Sequence, residues 1–440
     1  MAKQRLRHNE KDYPVKSINC HFLDSGSFTM WTKARDYAQQ HNCGEWEFYD
    51  TEEFWTYMAN YVEFVKEYSL GIDLCANIDV LPFKLKRGTP PSGMDSYSLS
   101  YRNLKWLEKQ GLNPVPVVHY GEPSLTINKW LRVYVEEGYQ LIALGGLVGS
   151  ITKDACDEWI DSCFKFVTVD GHPQVDFHGF GITSHRHFLR YPWYSVDSTS
   201  WTKKGGFGSV IVPRYRKTKE GKRIHVFVKE DLERLPRGGE DWTKDCVPFS
   251  FFMSSDHRLA KKAAKLEFGE GTLSNPGSAV AHYDHAPPAV QKEIRRWHKL
   301  MKVPLGTHEG YHDGTLSSHD YRRILNLRTY ECVRHKILHG TPWKSERPAG
   351  LGLFSYDPPK FPKKKKRRER LHPETEHPII FYSGCASVMS QAEVVLGEAT
   401  NLMLTYHDFS KKNNPDARFR RILEARGPVS YTHLTLPTKA

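Results

Sequence analysis

Three aspartates, two histidines and a glycine pair occupy matching places in the first half of the chain, each closing a short apolar run. Asp24 ends "CHFLD" before Ser25 and Gly26, Asp79 ends "LCANID", and His119 ends "VPVVH". Gly145 and Gly146 end "LIALGG" before Leu147, His178 and Gly179 end "VDFHG", and Asp197 ends "WYSVD". Grouped carboxylates admit two chemistries. In glycosidic chemistry one carboxylate attacks an anomeric carbon while a second moves the proton. In a metal site, carboxylates share the ion with histidines such as His119 and His178. No His-x-His opens the first run and no Lys ends one to bridge two metals, which weighs against the second. Glycines at run ends let a flat ligand approach the backbone, so Ser25, Gly26, His178 and Gly179 are candidate pocket residues. Local roles compete. Asp24 before Ser-Gly suits an Asx turn, Asp79 a strand-end cap or the partner of a buried Arg, and Asp197 before Ser-Thr-Ser a helix N-cap.

The elements that must position these residues alternate regularly. Apolar runs near 18–23, 72–80, 114–119, 139–145, 174–178 and 192–197 read as buried strands. Helical spacing appears between them, first in "EEFWTYMANYVEFVKEY" (Phe54, Met58, Tyr61, Val62, Val65), then over about 98–110, 125–138, 153–164 and 184–190. Six β-α units in a row imply a parallel sheet, closed as a barrel or open and doubly wound. No Gly-x-Gly-x-x-Gly follows the first strand and no phosphate loop occurs, which disfavours the nucleotide-binding open folds. In a (β/α)8 barrel the C-terminal strand ends ring one mouth, where active sites form. Asp197 then faces a shared pocket.

The run-end segments "LDSGSF", "ANIDV", "LGGLVG" and "YSVDSTSW", in that order, resemble the tRNA-guanine transglycosylase superfamily. The closest likeness is to its DNA-acting branch, the deoxypurine-in-DNA protein A group, over about residues 18–213. The resemblance implies an irregular (β/α)8 TIM-type barrel that exchanges guanine in a nucleic acid for a 7-deazaguanine such as preQ0. It implies Asp197 as the nucleophile on C1′ and Asp24 as the proton shuttle. Asp79, Gly145, Gly146 and Leu147 would hold the base, and His119 stands where the tRNA enzymes carry a base-reading glutamine. Those enzymes also bind zinc after the nucleophile strand. Cys246, His257, His282 and His285 lie in that region without the family's spacing, so no metal and no other cofactor is expected. Exchange into tRNA, and a non-catalytic or metal-dependent barrel that binds nucleic acid, remain the alternatives.

Composition agrees with a polyanionic partner. The 440 residues carry 63 Lys+Arg against 51 Asp+Glu, a formal charge of +12, which favours DNA or tRNA. Apolar residues at 39% give ample core, and no run reaches the roughly 20 apolar residues that span a bilayer. The N-terminus has no apolar core of a secretory signal, and eight scattered cysteines suit reduced thiols. A cytoplasmic protein of a bacterium or a phage-infected host is expected, with partner proteins of a DNA-modification system in view.

The expected organisation is a barrel core over 1–215, barrel completion with basic insertions over 216–345, and a Pro-rich basic linker over 346–380. A helical segment over 381–427 and a tail over 428–440 would follow. "GSVIVPR" and "IHVFV" read as a hairpin with a basic tip. Helices are expected after "APPA" (Val290, Ile294, Trp297, Met301), from "SSHD" onward, and over 388–406 with Val388, Ala392, Val395, Ala399 and Leu402 inward. The run Lys363, Lys364, Lys365, Lys366, Arg367, Arg368 is the candidate grip on a phosphate backbone. The closing "PVSYTHLTLPTKA" resembles a translated sequencing adapter and is set aside.

Overall fold

The computed structural model describes residues 20–69, 72–83, 88–121, 126–147, 153–182, 185–213, 215–217, 223–225, 249–255, 281–334, 342–344, 359–362, 379–383 and 401–406. Eight parallel strands form the main sheet: β1 (Cys20–Asp24), β2 (Leu74–Cys75), β3 (Val117–His119), β4 (Leu141–Gly145), β5 (Asp176–Gly179), β6 (Ser195–Ser198), β7 (Ile379–Tyr382) and β8 (Asn401–Thr405). Their spatial order is β2-β1-β8-β7-β6-β5-β4-β3. The two end strands also approach each other: Val115 N donates to Cys75 O at 2.8 Å and Asn77 N to Val115 O at 2.9 Å, around a parallel bridge between Ala76 and Val115.

The sheet is curled. β1 and β5 are four places apart, roughly 19 Å in a flat sheet, yet the rings of Phe22 and His178 meet at 4.8 Å. Strand alternation sorts the side chains into two layers. Phe22, Ala76, Val117, Ala143, Phe381 and Met403 form one inner cluster. Leu23, Val118, Leu144, Val196, Ile380 and Leu402 face outward into the larger core beneath the helices. Runs apolar on both faces are what a parallel sheet buried on both sides requires.

Helices cover the outer layer. Ser27–His41 begins directly after the β1 turn, with Met30, Ala34 and Ala38 buried; its small residues leave only a weak apolar stripe in the sequence. Glu52–Glu67 starts where the Thr51 side chain accepts from Phe54 N at 3.3 Å, with two glutamates in its first turn. Phe54, Met58, Tyr61 and Val62 are its buried face, as their spacing predicts. Ser96–Lys109 is capped by Asp95, which accepts from Ser98 N at 2.9 Å. Lys153–Val167 and His185–Arg190 follow β4 and β5. The segment expected as a helix over 125–138 opens with one π-helical stretch, Thr126–Leu131, before Arg132–Glu136.

The second half departs from expectation. Ser209–Val212 pairs antiparallel with Phe249–Phe252, which pairs parallel with Ala281–His282. With the helices Pro288–Leu300 and His319–Arg334 these strands enclose a separate core. The strands and helices described between 209 and 334 thus pack as a small lobe and add no strand to the main sheet. The expected hairpin is displaced: Tyr215–Lys217 pairs with Arg223–His225, and Ser209–Val212 turns elsewhere. Strands seven and eight come from 379–382 and 401–405, so the chain there is not simply a helical extension. Leu402 continues the helical spacing of Val395 and Ala399 in the sequence, but the five-residue ladder Cys20–Asp24 to Asn401–Thr405 decides its state. Residues 384–400, which hold the rest of that expected helix, lie outside the described residues.

Asn326 ties the helix His319–Arg334 to the lobe's first strand and to Trp201 in the helix after β6. It accepts from Ile211 N at 2.8 Å and donates to Trp201 O and Ser209 O, both at 3.2 Å. Buried Arg322 donates to Gly205 O at 2.9 Å and Thr315 O at 2.7 Å. Cys43, Cys75, Cys156, Cys163 and Cys332 are free thiols. No helix among the described residues is long and apolar enough to cross a membrane.

Candidate active site

Strand parity aims the candidate residues at one edge of the sheet. Two residues beyond inner-layer Phe22, Val117, Ala143 and Phe381 come Asp24, His119, Gly145 and Ser383, on the same face and all at C-terminal strand ends. On β6, Val196 faces outward, so Ser195 and Asp197 face in. Two hydrogen-bonded groups result.

The first group surrounds Asp197, which is 7% exposed. Its Oδ1 accepts from the backbone N–H of Gly181, and its Oδ2 accepts from the Ser383 hydroxyl at 2.6 Å. Among the described residues no Lys or Arg pairs with it. Burial pushes its carboxyl up, while Ser383 and Gly181 pull it back toward the ionised form. Asp197 is not a helix cap: the helix Ser200–Gly206 has Thr199 at its N-cap, without a side-chain bond. His178, fully buried among Phe22, Phe180 and Phe381, places Nε2 3.8 Å from Asp197 Oδ1, beyond hydrogen-bond reach. Its Nδ1 pairs with the Ser195 hydroxyl at 2.9 Å. Burial drives His178 down to about 3, so it is neutral at physiological pH. It is an apolar wall with one satisfied nitrogen.

The second group surrounds Asp79, 5% exposed. Its Oδ1 accepts from the Ser27 hydroxyl at 2.8 Å, which in turn lies 2.8 Å from the Ser25 hydroxyl. Its Oδ2 bonds His119 Nε2. The expected partnership of Asp79 with a buried Arg is therefore replaced by a Ser-Asp-His relay. His119 Nδ1 is buried and has no partner among the described residues. The glycine pair serves this ring: a Cβ on Gly145 would stand 3.0 Å from His119 Cε1 and Nδ1. Gly146, at φ 72°, is exposed, and Leu147 packs half-buried against the main core.

Asp24 is half-buried at the end of β1. Its Oδ1 accepts from Gly26 N at 3.3 Å, the Asx geometry that its neighbours favour, with Gly26 at φ 76°. Tyr57 fixes the same turn by donating to Ser25 O at 2.6 Å. The Asp24 charge contributes to holding the Tyr57 hydroxyl above its ordinary range, after burial. Gly179 is not a pocket residue. It points outward, where a Cβ would meet Ile182 at 2.5 Å and Trp193 at 3.0 Å, so its missing side chain admits packing.

Ser383, Gly181, Ser27 and Tyr57 were not legible as site residues. Only Ser383 left a signal, the apolar run "IIFY" ending on Ser-Gly like the six earlier runs. The basic run Lys363–Arg368 lies outside the described residues, as do Cys246 and His257. His282 bonds Ser254 O at 3.0 Å, and among the described residues no group of three or more His, Cys, Asp or Glu side chains is arranged to hold a metal. Searches against family models, curated proteins and solved structures find no match to this chain.

Proposed function

We propose that this chain is a DNA-guanine transglycosylase on an irregular (β/α)8 barrel. Support for the barrel comes from the strand order, which follows chain order around the curl, and from the bridge between Ala76 and Val115. The observation that carries the chemistry is Asp197: a buried carboxylate at a C-terminal strand end, held by two donors and countered by no cation among the described residues. Such a group is pre-oriented and poorly solvated, which suits attack on an anomeric carbon and stabilisation of an oxocarbenium-like state.

In this reading a deoxyguanosine is extruded from the duplex, at a cost of a few kcal/mol. Asp197 attacks C1′ as the C1′–N9 bond breaks, and guanine leaves after taking a proton at N9 from Asp24. A 7-deazaguanine then enters and returns the N9 proton to Asp24. Its nitrogen attacks C1′, and the bond to Asp197 breaks. The base lies against His119, whose free Nδ1 faces the glycine pair. For Asp79 to accept from the N1–H and the exocyclic amine, its bonds to Ser27 and His119 exchange for those of the base.

The test is incorporation of labelled guanine or preQ0 into duplex DNA and, separately, into tRNA, by wild type and Asp197→Asn. Label entering DNA with wild type alone is the expected result. Label entering tRNA alone moves the same chemistry to RNA, and label in neither removes the reading.

A further inference from the structure

We propose that the exposed face of the helix Pro288–Leu300, extended by Lys302, is the docking surface for the phosphate backbone of duplex DNA. The choice of DNA rests on the transglycosylase reading; the surface itself rests on the helix. Lys292, Arg295 and Lys299 are exposed and recur at i, i+3 and i+7, one side of a helix, and exposed Lys302 follows two residues past its end. The helix holds a single acid, Glu293, and Arg296 takes it at 2.7 Å. Arg295 bonds only neutral groups, Tyr283 Oη at 2.9 Å and Gln291 Oε1 at 3.4 Å. Among the described residues none of the four cations pairs with a carboxylate. His298, driven down to about 4 by burial, adds no charge to the face at neutral pH.

The helix dipole explains only half of this pattern. It favours cations at the C-terminal end, where Lys299 and Lys302 stand, but gives no reason for Lys292 and Arg295 in the N-terminal half. Lys302 holds the left-handed conformation (φ 53°) that glycine usually takes after a helix, so a cation is kept there against backbone preference. Lys292 to Lys299 span about 10 Å of helix axis at about 1.5 Å per residue. The same length of duplex carries roughly six phosphate charges at about 1.7 Å each. An anionic membrane is the poorer occupant. Interfacial helices bury an apolar face in the lipid, and here that face (Val290, Ile294, Trp297) is consumed by the lobe's own core.

The experiment measures binding of a fluorescent duplex by the full chain across a salt series, comparing wild type and the quadruple variant Lys292→Gln, Arg295→Gln, Lys299→Gln, Lys302→Gln. The quadruple variant should bind at least about tenfold more weakly, and its log K against log[salt] slope should be shallower by about 3.6, four lost contacts at about 0.9 each. An unchanged affinity and slope in the quadruple variant overturns the proposal, as does the absence of duplex binding by wild type, including the case in which only phosphatidylserine vesicles or tRNA are bound. Because the readout is binding, the expected slope change with no base exchange would remove the transglycosylase chemistry and leave the surface standing.

Discussion

Removing the Ser383 hydroxyl isolates what holds Asp197 in its ionised form. Ser383→Ala deletes one of two donors to a buried carboxylate and leaves the Ser383 backbone carbonyl, which accepts from Trp201 Nε1 at 3.1 Å, in place. A hydrogen bond to a charged group contributes about 1.5–3 kcal/mol. Its loss raises the Asp197 carboxyl beyond the rise that burial already causes. In the proposed reaction Asp197 attacks in its ionised form, so the acid limb of kcat/KM for base exchange should move up in Ser383→Ala, by roughly one to two pH units at about 1.36 kcal/mol per unit, while Ser383→Thr stays near wild type. A merely structural role for Ser383 would lower the rate at every pH and leave the limb where it was. That outcome would refute the reasoning. The same shift can be read without turnover, by following the Asp197 carboxyl carbon by NMR in labelled protein.

Further outcomes follow from the same geometry. Because burial raises Asp197 above its unfolded value, its contribution to stability is full below the unfolded carboxylate range and is lost as pH rises through the folded value. Asp197→Asn should therefore melt higher than wild type near pH 8 with the gap closing toward pH 4; an equal gap at both pH values would count against the buried charge. His298 runs the other way. Its folded value, about 4, lies below the unfolded one near 6.5, so the stability it supports is present above pH 6.5 and fades as pH falls toward 4. His298→Gln should flatten the loss of urea stability between pH 7 and pH 5 by about 2 kcal/mol. Gly145→Ala puts a methyl 3.0 Å from the His119 ring, which must give by a few tenths of an ångström and so loosens its bond to Asp79. The Michaelis constant for the free base should rise at least about tenfold with little change in melting temperature, and an unchanged constant would separate His119 from base binding.

The first six strands were legible because their residues are consistent at every level: β-branched or aromatic runs, apolar on both faces, each broken by a turn signal. The end residues of those runs were legible for the same reason, since strand parity alone decides which of two neighbours faces inward. That rule puts Asp24, His119 and Asp197 on the inner face, and it turns Gly179 outward, since its neighbour His178 takes the inner position. Strands seven and eight were not legible because their neighbours in space are remote in sequence. "IIFYS" gains its partner from residues 195–198, and "NLMLT" from residues 20–24. Of the two, "NLMLT" has no turn signal of its own and no local reason to prefer extension.

Ser383 follows from the same remoteness. Its hydroxyl reaches Asp197 across 186 positions of sequence, and the register that allows this, Phe381 beside Asp197, is set by a ladder no local pattern encodes. The acids of the site are thus chosen locally, and the donors that fix their charge are supplied by tertiary structure. Burial disfavours the charged carboxylate and both donors favour it, so the ionised form of Asp197 depends in part on a hydroxyl from the last quarter of the chain. In the proposed reaction Ser383 therefore helps to set the pH at which Asp197 can act.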